Sequence, residues 1–246
     1  MPKFFVTQEQ IKDNKILIIG QDVNHVKNVL RKKVGEELII CDKDNCEDYL
    51  CKICELNEKQ IECEIINTLE SDIEPITKVT IFQGLPKSNK MELIIQKAVE
   101  LGAYDIIPVE MKRCVVKLDE KDKTKKIQRW QKISEVAAKQ CGRNIIPKIN
   151  NIVNIKNICN LIKEYDIVLL AYENEKQNTI KKELQNLNKN NLKIAVIVGP
   201  EGGISEEEFS SLTQNGAISV TLGKRILRTE TVAINILSII MYELED

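Results

Sequence analysis

The last fifty residues constrain the fold of this chain more than any other stretch. There IVGPEGGISEEEF (Ile197 to Phe209) is followed by VTLGKRILRTETVAINILSII (Val220 to Ile240). Each is a short apolar run that enters a glycine-containing loop and continues with helical periodicity. Two strand, loop and helix units in succession predict a parallel sheet. Both loops should then lie at the carboxyl ends of neighbouring strands, where α/β proteins hold small ligands.

The first loop excludes one class of ligand. A dinucleotide fingerprint needs G-x-G-x-x-G and a helix amino terminus open to pyrophosphate. Here Gly199-Pro200-Glu201-Gly202-Gly203 sets a proline and a carboxylate at that place. Ser205 and Glu208 have capping-box spacing, and Glu206 to Glu208 fill the first helical turn. A phosphate would be repelled. The phrase nearest to a P-loop, GLPKS (Gly84 to Ser88), lacks the second glycine. The ligand implied is flat, hydrogen-bonded by backbone, and not polyanionic.

The same alternation of strand and helix extends upstream. VTIFQGL (Val79 to Leu85), DIIPV, DIVLLAY, KIAVIVG and AISVTLG read as apolar strands separated by helical segments. Asn89 and Glu92 give an N-cap signature for a helix whose Met91, Ile94, Ile95, Ala98 and Val99 recur at helical spacing, and Gly102 should end it. Lys181 to Asn191, rich in lysine and asparagine, reads as a solvated helix end and turn. Residues 1 to about 70 instead hold short β-rich segments such as KILIIG (Lys15 to Gly20), with a helix predicted over Val23 to Lys32. The polar segment SDIEPITK (Ser71 to Lys78) interrupts the pattern, so domains of 1–72 and 73–246 are expected. The fold class is α/β with a parallel sheet, preceded by a small β-rich domain.

Five of the eight cysteines crowd together: Cys41, Cys46, Cys51, Cys54 and Cys63. Cys51 and Cys54 have metal-ligand spacing, but a zinc site would want a second such pair or two histidines, and His25 is the one histidine in the chain. The segments ELIIC, DYLCKICEL and QIECEII read better as strands with thiols packed as small apolar groups, and no metal is expected. No apolar run approaches the roughly 18 residues of a membrane span. The start, MPKFFVTQEQ, lacks the apolar stretch of a signal peptide, which predicts a cytoplasmic protein with reduced thiols.

Net charge is −1 but unevenly spread. Residues 1–34 carry seven Lys/Arg against three Asp/Glu, residues 111–148 carry twelve against four, and the remainder sums to −13. Such segregation suits either a basic face for phosphates or a solvated lysine-rich surface.

KMELIIQKAVELGAYDIIPV (Lys90 to Val109), RWQKISEVAAKQCGRNIIP (Arg129 to Pro147) and HVKNVLR (His25 to Arg31), taken in order with GPEGG and LGKRILRTET, cover nearly the whole chain. Together they resemble the SPOUT class of S-adenosylmethionine-dependent RNA methyltransferases, and within it the RsmE family of 16S rRNA uridine-N3 methyltransferases. The resemblance implies a PUA-like RNA-binding domain over 1–72 and a SPOUT domain over 73–246 with a carboxyl-terminal trefoil knot. It also implies a homodimer acting on 16S rRNA, within the small ribosomal subunit.

It further implies a site. The backbone of Leu170, Ala171 and Tyr172, of Gly199, Pro200, Glu201, Gly202 and Gly203, and of Leu222, Gly223, Lys224, Arg225, Ile226 and Leu227 falls to the cofactor. Small residues let N–H and C=O groups reach an adenine edge, and Ile226 and Leu227 offer apolar cover. Glu201 would face the cationic end of the cofactor or serve helix-terminus electrostatics. Arg228 would steady charge on the uridine oxygens, with Glu230 as base or orienting partner; an ordinary salt bridge or cap explains either residue alone. RNA contacts fall to Lys3, His25, Lys27 and Arg31, then to Lys112, Arg113, Arg129, Lys139 and Arg143, His25 being equally suited to a structural hydrogen bond. Val232, Ile236, Leu237, Ile239 and Ile240 form an apolar face for core packing or a dimer contact. A ribose 2′-hydroxyl target and a non-catalytic RNA-binding protein stay open as alternatives.

Overall fold

Period-two alternation builds the amino-terminal sheet in a computed structural model that describes residues 3–187 and 191–245. Its strands are β1 (Lys3–Val6), β2 (Ile11–Lys12), β3 (Lys15–Ile19), then, after the helix α1 (Gln21–Asn24), β4 (Glu37–Asp42), β5 (Glu47–Leu56) and β6 (Gln60–Leu69). They lie in the order β1-β4-β5-β6-β3-β2. β1 runs parallel to β4, and the other pairings are antiparallel. Phe4, Ile16, Val26, Ile40, Cys51, Ile61 and Cys63 are fully buried between them. On β5 the alternation puts Cys51 inside and Cys54 outside. Residues three apart on a strand face opposite ways, so this pair cannot close on one ion. Burial pushes the thiols of Cys51 and Cys63 up to about 12, as packing groups rather than nucleophiles.

The helix expected over Val23 to Lys32 is shorter. After α1 the backbone widens into a π turn over His25–Val29, in which the Leu30 N–H reaches the His25 carbonyl at 2.9 Å. Arg31 then takes φ 54°, the left-handed region, which ends the helix before Lys32.

The second sheet is parallel and its strands are separated by helices. In chain order come β7 (Lys78–Gly84), α2 (Lys90–Glu100), β8 (Asp105–Glu110), α3 (Glu120–Cys141), β9 (Lys148–Ile149), β10 (Val153–Asn154) and α4 (Ile155–Leu161). They are followed by β11 (Ile167–Ala171), α5 (Ile180–Gln185), β12 (Lys193–Val198), α6 (Glu206–Gln214), β13 (Ile218–Val220) and α7 (Thr229–Leu244). Of the lysine-rich stretch 181–191, residues 188–190 lie outside the described residues. Strand order is β10-β8-β7-β12-β11-β13, with β9 also beside β8. Ile194 to Val198 of β12 are all buried, the continuous apolar run expected of a strand covered on both faces. The chain first builds outward from β7 through β8, then returns to place β12 on the other side of β7. That reversal brings the carboxyl ends of β7, β11, β12 and β13 together.

Most local signals act as read, and the Asn89 cap does not. Met91, Ile94, Ile95, Ala98 and Val99 form the buried face of α2. Gly102, at φ 88°, closes the helix with a Schellman pair, Gly102 N–H to Val99 and Ala103 N–H to Ala98. Asn89 does occupy the N-cap, but its side chain makes no capping bond, and Glu92 is drawn away by Arg129 at 2.8 Å. On α7, Ile236, Leu237 and Ile240 are core, whereas Val232 and Ile239 are half-buried. Among the described residues no helix is long and apolar enough to cross a membrane, and no group of metal-binding side chains assembles.

The chain clusters into two compact units. One runs to Glu74 and takes back Ala138–Ile146; the other holds Pro75–Ala137 and the chain from Pro147 on. A linear cut at residue 72 does not assign the returning segment to the first unit. Within that unit Lys3 is 5% exposed, and its ammonium bonds the Asp48 carboxylate at 2.6 Å and the Asn144 side chain. Arg143, 4% exposed, forks onto Glu74, whose other oxygen accepts the N–H groups of Asn144 and Ile145. Both cations were expected on an RNA-facing surface. The structure corrects that, because neither charge is open to a phosphate and each instead balances a carboxylate that folding removes from water.

Lys3→Met should therefore leave Asp48 buried without its cation and lower the unfolding free energy by about 3 kcal/mol in urea. Lys3→Met combined with Asp48→Leu should recover most of that loss, since removing both charges removes the desolvation cost.

Candidate active site

Three loops at the strand ends make one cavity of about 380 Å³. The loop after β12 is a turn in which the Gly203 N–H bonds the Pro200 carbonyl at 2.9 Å and Gly203 takes φ 71°. Side chains are excluded from this turn on several sides. A Cβ on Gly199 would sit 2.9 Å from Ile204, and one on Gly84, at the end of β7, would sit 2.7 Å from Pro200. Ser205 and Glu208 then form the predicted capping box that starts α6. The second oxygen of Glu208 accepts the Lys112 N–H at 2.7 Å, tying in the loop after β8.

The loop after β11 is organised by a carboxylate that sequence reading missed. Glu175 accepts the N–H groups of Lys176, Gln177 and Asn178 at 2.9 to 3.0 Å and the Ser219 hydroxyl at 2.7 Å. The Ser219 hydrogen bond first, and the backbone donors with it, hold its carboxyl down to about 2. In the same loop Tyr172 stacks on Phe209 of α6, ring centroids 4.1 Å apart.

The third loop runs from β13 into α7, where Arg228 is the N-cap residue and is exposed. Behind it the Thr229 hydroxyl donates to the Gly199 carbonyl at 2.7 Å and accepts from the Gln83 amide at 2.9 Å. One buried hydroxyl thus joins β7, the β12 turn and α7.

Most residues assigned to the cofactor by resemblance line this cavity: Ala171, Tyr172, Gly199, Pro200, Glu201, Gly203 and every residue from Leu222 to Leu227. Two do not. Leu170 is fully buried in β11, and Gly202 packs under the Arg113 backbone, where a Cβ would fall 2.9 Å from the Arg113 carbonyl. Arg228 lines the cavity and Glu230 does not. Ile226, expected as apolar cover, is 87% exposed at the rim. Lys90, Glu173, Ile204, Thr229 and Val232 line it unforeseen. Lys90 alone carried a signal, a lysine in the first turn of a helix where a cation is disfavoured.

Glu201 is exposed at the cavity and turns to the start of α2. It pairs with Lys90 at 2.9 Å and accepts the Lys87 N–H at 3.2 Å, at the start of α2. Burial pushes its carboxyl up, but the Lys90 hydrogen bond and the backbone donors outweigh burial and leave it below the ordinary range. Lys90 also reaches Glu230 at 3.2 Å. The paired carboxylates of Glu201 first, then of Glu230, raise the Lys90 ammonium above its ordinary value.

The cations assigned to RNA are mostly engaged. Lys112 pairs with Glu207 at 2.8 Å, Arg129 with Glu92, Lys139 with Asp22 at 2.9 Å, and Lys27 with Glu58. Arg113 is exposed and donates to the Gly202 carbonyl at 3.2 Å, so it supports the site's turn. His25 is half-buried, edge-on to Phe4 at 5.7 Å, a ring contact rather than the hydrogen bond considered for it. Arg31 is exposed on its left-handed turn.

Comparisons with known proteins agree on one family. A family model described as an RNA methyltransferase domain matches residues 73–241, and one described as an RNA methyltransferase PUA domain matches 18–66. Ribosomal RNA small subunit methyltransferase E of Bacillus subtilis is 36% identical over 252 aligned positions, covering 100% of this chain and 98% of that protein. The protein of the same name from Mesomycoplasma hyopneumoniae is 36% identical, with 97% and 98% covered. Among solved structures, a ribosomal RNA small subunit methyltransferase E from Neisseria gonorrhoeae bound to S-adenosyl methionine superposes with a TM-score of 0.86 at 28% identity. That match covers 98% of this chain and 97% of the other.

The Glu175 loop predicts a pH effect. Its carboxyl lies below its ordinary value when folded, so its stabilisation is complete above about pH 4.5 and is lost as pH falls towards about 2. The melting temperature of wild type should exceed that of Glu175→Gln at about pH 6, and the gap should narrow steadily below about pH 4. A gap that does not change with pH would mean that the carboxylate does not hold the loop.

Proposed function

We propose, from the premise that this chain belongs to the ribosomal RNA small subunit methyltransferase E family, that it methylates N3 of one uridine in 16S rRNA. S-adenosylmethionine-dependent methylation of small-subunit rRNA is its activity. We further propose a homodimer acting in the cytoplasm on the assembled subunit, with a knotted carboxyl-terminal domain. The exposed Tyr242, on the same helix as the half-buried Ile239, supports a second copy on α7.

The observation that carries the reading is the cavity itself. Its volume and backbone-lined rim suit a nucleoside, and Glu173 and Glu201 beside its glycine turn suit a cationic ligand and oppose a polyphosphate. The cofactor supplies a methyl group activated by a sulfonium.

The chain's own residues must orient the acceptor and manage its proton. Attack by N3 requires that its proton leave, and the resulting charge spreads onto the flanking carbonyl oxygens. Arg228 stands at the cavity edge, and among the described residues no carboxylate pairs with it. Its guanidinium is therefore available to donate to those oxygens in a planar fork. Glu230, half-buried and held by Lys90, serves as an orienting partner. Ile204 and Val232 give the cavity an apolar side that limits water.

Two measurements test this. Gly203→Val should abolish S-adenosylmethionine binding by calorimetry while the protein stays folded. The new Cβ would fall 2.8 Å from Glu173, at a φ that β-branched residues avoid. Unchanged affinity would take this turn out of the site.

The second reads the product. A methyl on N3 removes a Watson–Crick donor and stops reverse transcriptase, whereas a ribose methyl leaves that edge intact. A stop in 16S rRNA should vanish in cells lacking the protein and return when wild-type protein and S-adenosylmethionine act on isolated small subunits. Arg228→Ala should bind cofactor yet restore the stop at least about tenfold more slowly. A stop that persists in the deletion strain would disprove the N3 assignment. Restoration by Arg228→Ala at the normal rate would remove Arg228 from catalysis.

A further inference from the structure

Lys90 occupies an unusual place for a cation. It is the first residue of α2, where the helix dipole disfavours positive charge. Two carboxylates from separate elements meet it there: Glu201 of the β12 turn at 2.9 Å and Glu230 of α7 at 3.2 Å. The environment of Glu230 is the telling one. Its Oε2 is buried and meets no donor in hydrogen-bond geometry, so the ammonium of Lys90, 3.2 Å away, is the charge that compensates it. An uncompensated buried carboxylate is expensive and would turn towards water or take up a proton. Glu230 is two residues beyond Arg228 and next to Thr229, whose hydroxyl holds the Gly199 carbonyl. Displacing it disturbs the first turn of α7 at the cavity edge.

We propose that Lys90 is a positioning residue for the methyl transfer. It acts through Glu230, with Glu201 holding the lysine itself against the glycine turn, so that the start of α7, Arg228 and the ligand-lining backbone keep one relative placement. This rests on the activity proposed above. It gives a function to a residue that would otherwise be a surface salt bridge of little consequence. Misplacement of a positioning group lowers turnover more than it lowers binding.

The test is a double-substitution cycle on the full-length protein. Lys90→Met should lower kcat about tenfold to a hundredfold, while KM for small subunits and the calorimetric Kd for S-adenosylmethionine change less than about threefold. Lys90→Arg, which keeps the charge, should recover most of the loss and also guards against a folding artefact in the methionine variant. In a Glu230→Gln background, Lys90→Met should cost less than about threefold more, because the group it acts through is already neutral. A crystal structure of Lys90→Met should find the Glu230 carboxylate turned away from its present place. Independent, multiplying losses in the cycle, or Glu230 unmoved in that crystal, would overturn the inference while wild-type turnover leaves the proposed activity standing. A wild-type protein that methylates no uridine would fell the activity and this inference with it.

Discussion

The Thr229 hydroxyl takes part in two hydrogen bonds at once, one buried and one part-buried, and the geometry of the cavity depends on that pairing. Its proton goes to the Gly199 carbonyl, and its lone pair takes the Gln83 amide. Three segments far apart in sequence, the end of β7, the turn after β12 and the first turn of α7, are joined at one point. A valine there would match the shape and lose both bonds, leaving the half-buried Gly199 carbonyl without this donor and the Gln83 amide with the Gly84 carbonyl alone, at a cost of about 1–3 kcal/mol for the pair. The glycines around it follow from the same closeness. With Pro200 2.7 Å from where a Gly84 Cβ would lie, the strand end and the turn touch backbone to ring. The site is thus a packing consequence of the parallel sheet, made before any ligand enters.

What the sequence revealed were features whose physics is local. A capping box is complete within Ser205 and Glu208, a Schellman ending within Ala98 to Ala103, and an apolar strand within one short run such as Ile194 to Val198. Each depends on neighbours three to five residues away, so reading them requires no knowledge of the fold. The loops that line the cavity were legible for the same reason, with resemblance supplying their assignment. Leu170 and Gly202, assigned by the same resemblance, are not among the residues that line the cavity.

Features that depend on distant partners were illegible. Lys3 and Asn144 are bonded across 141 residues, and Glu74 meets Arg143 across 69. In sequence these cations add to a basic segment; in the fold they neutralise buried carboxylates. Composition counts charge but cannot say which charges face water. The same blindness hid the partners of Lys90, whose two acids are contributed by a turn and a helix more than a hundred positions away. The π turn at His25 was missed for a different reason, since nothing in HVKNV distinguishes a five-residue hydrogen-bonded turn from an ordinary helical one.

Apart from Lys90, which is paired with Glu201, the charges around the cavity are sorted by side, and the sorting bears on how catalysis can work there. Glu173 and Glu201 stand with the glycine turn, whereas Lys224, Arg225 and Arg228 come from the loop that leads into α7. Transfer of a methyl from a cationic donor to an anionic acceptor consumes charge of both signs, so the transition state is less polar than the ionised reactants. Strong charge pairing within the site would then stabilise the reactants at least as much as the transition state, and uniform binding of that kind does not raise turnover. In the reaction proposed above, the basic side acts earlier, making the loss of the N3 proton less costly, and the remaining acceleration comes from alignment. A site built from backbone turns locked by one buried hydroxyl, with its two acids pinned to a single lysine, is organised for alignment. On this view the rigidity of the three-loop junction, more than the strength of any one charge, sets the rate.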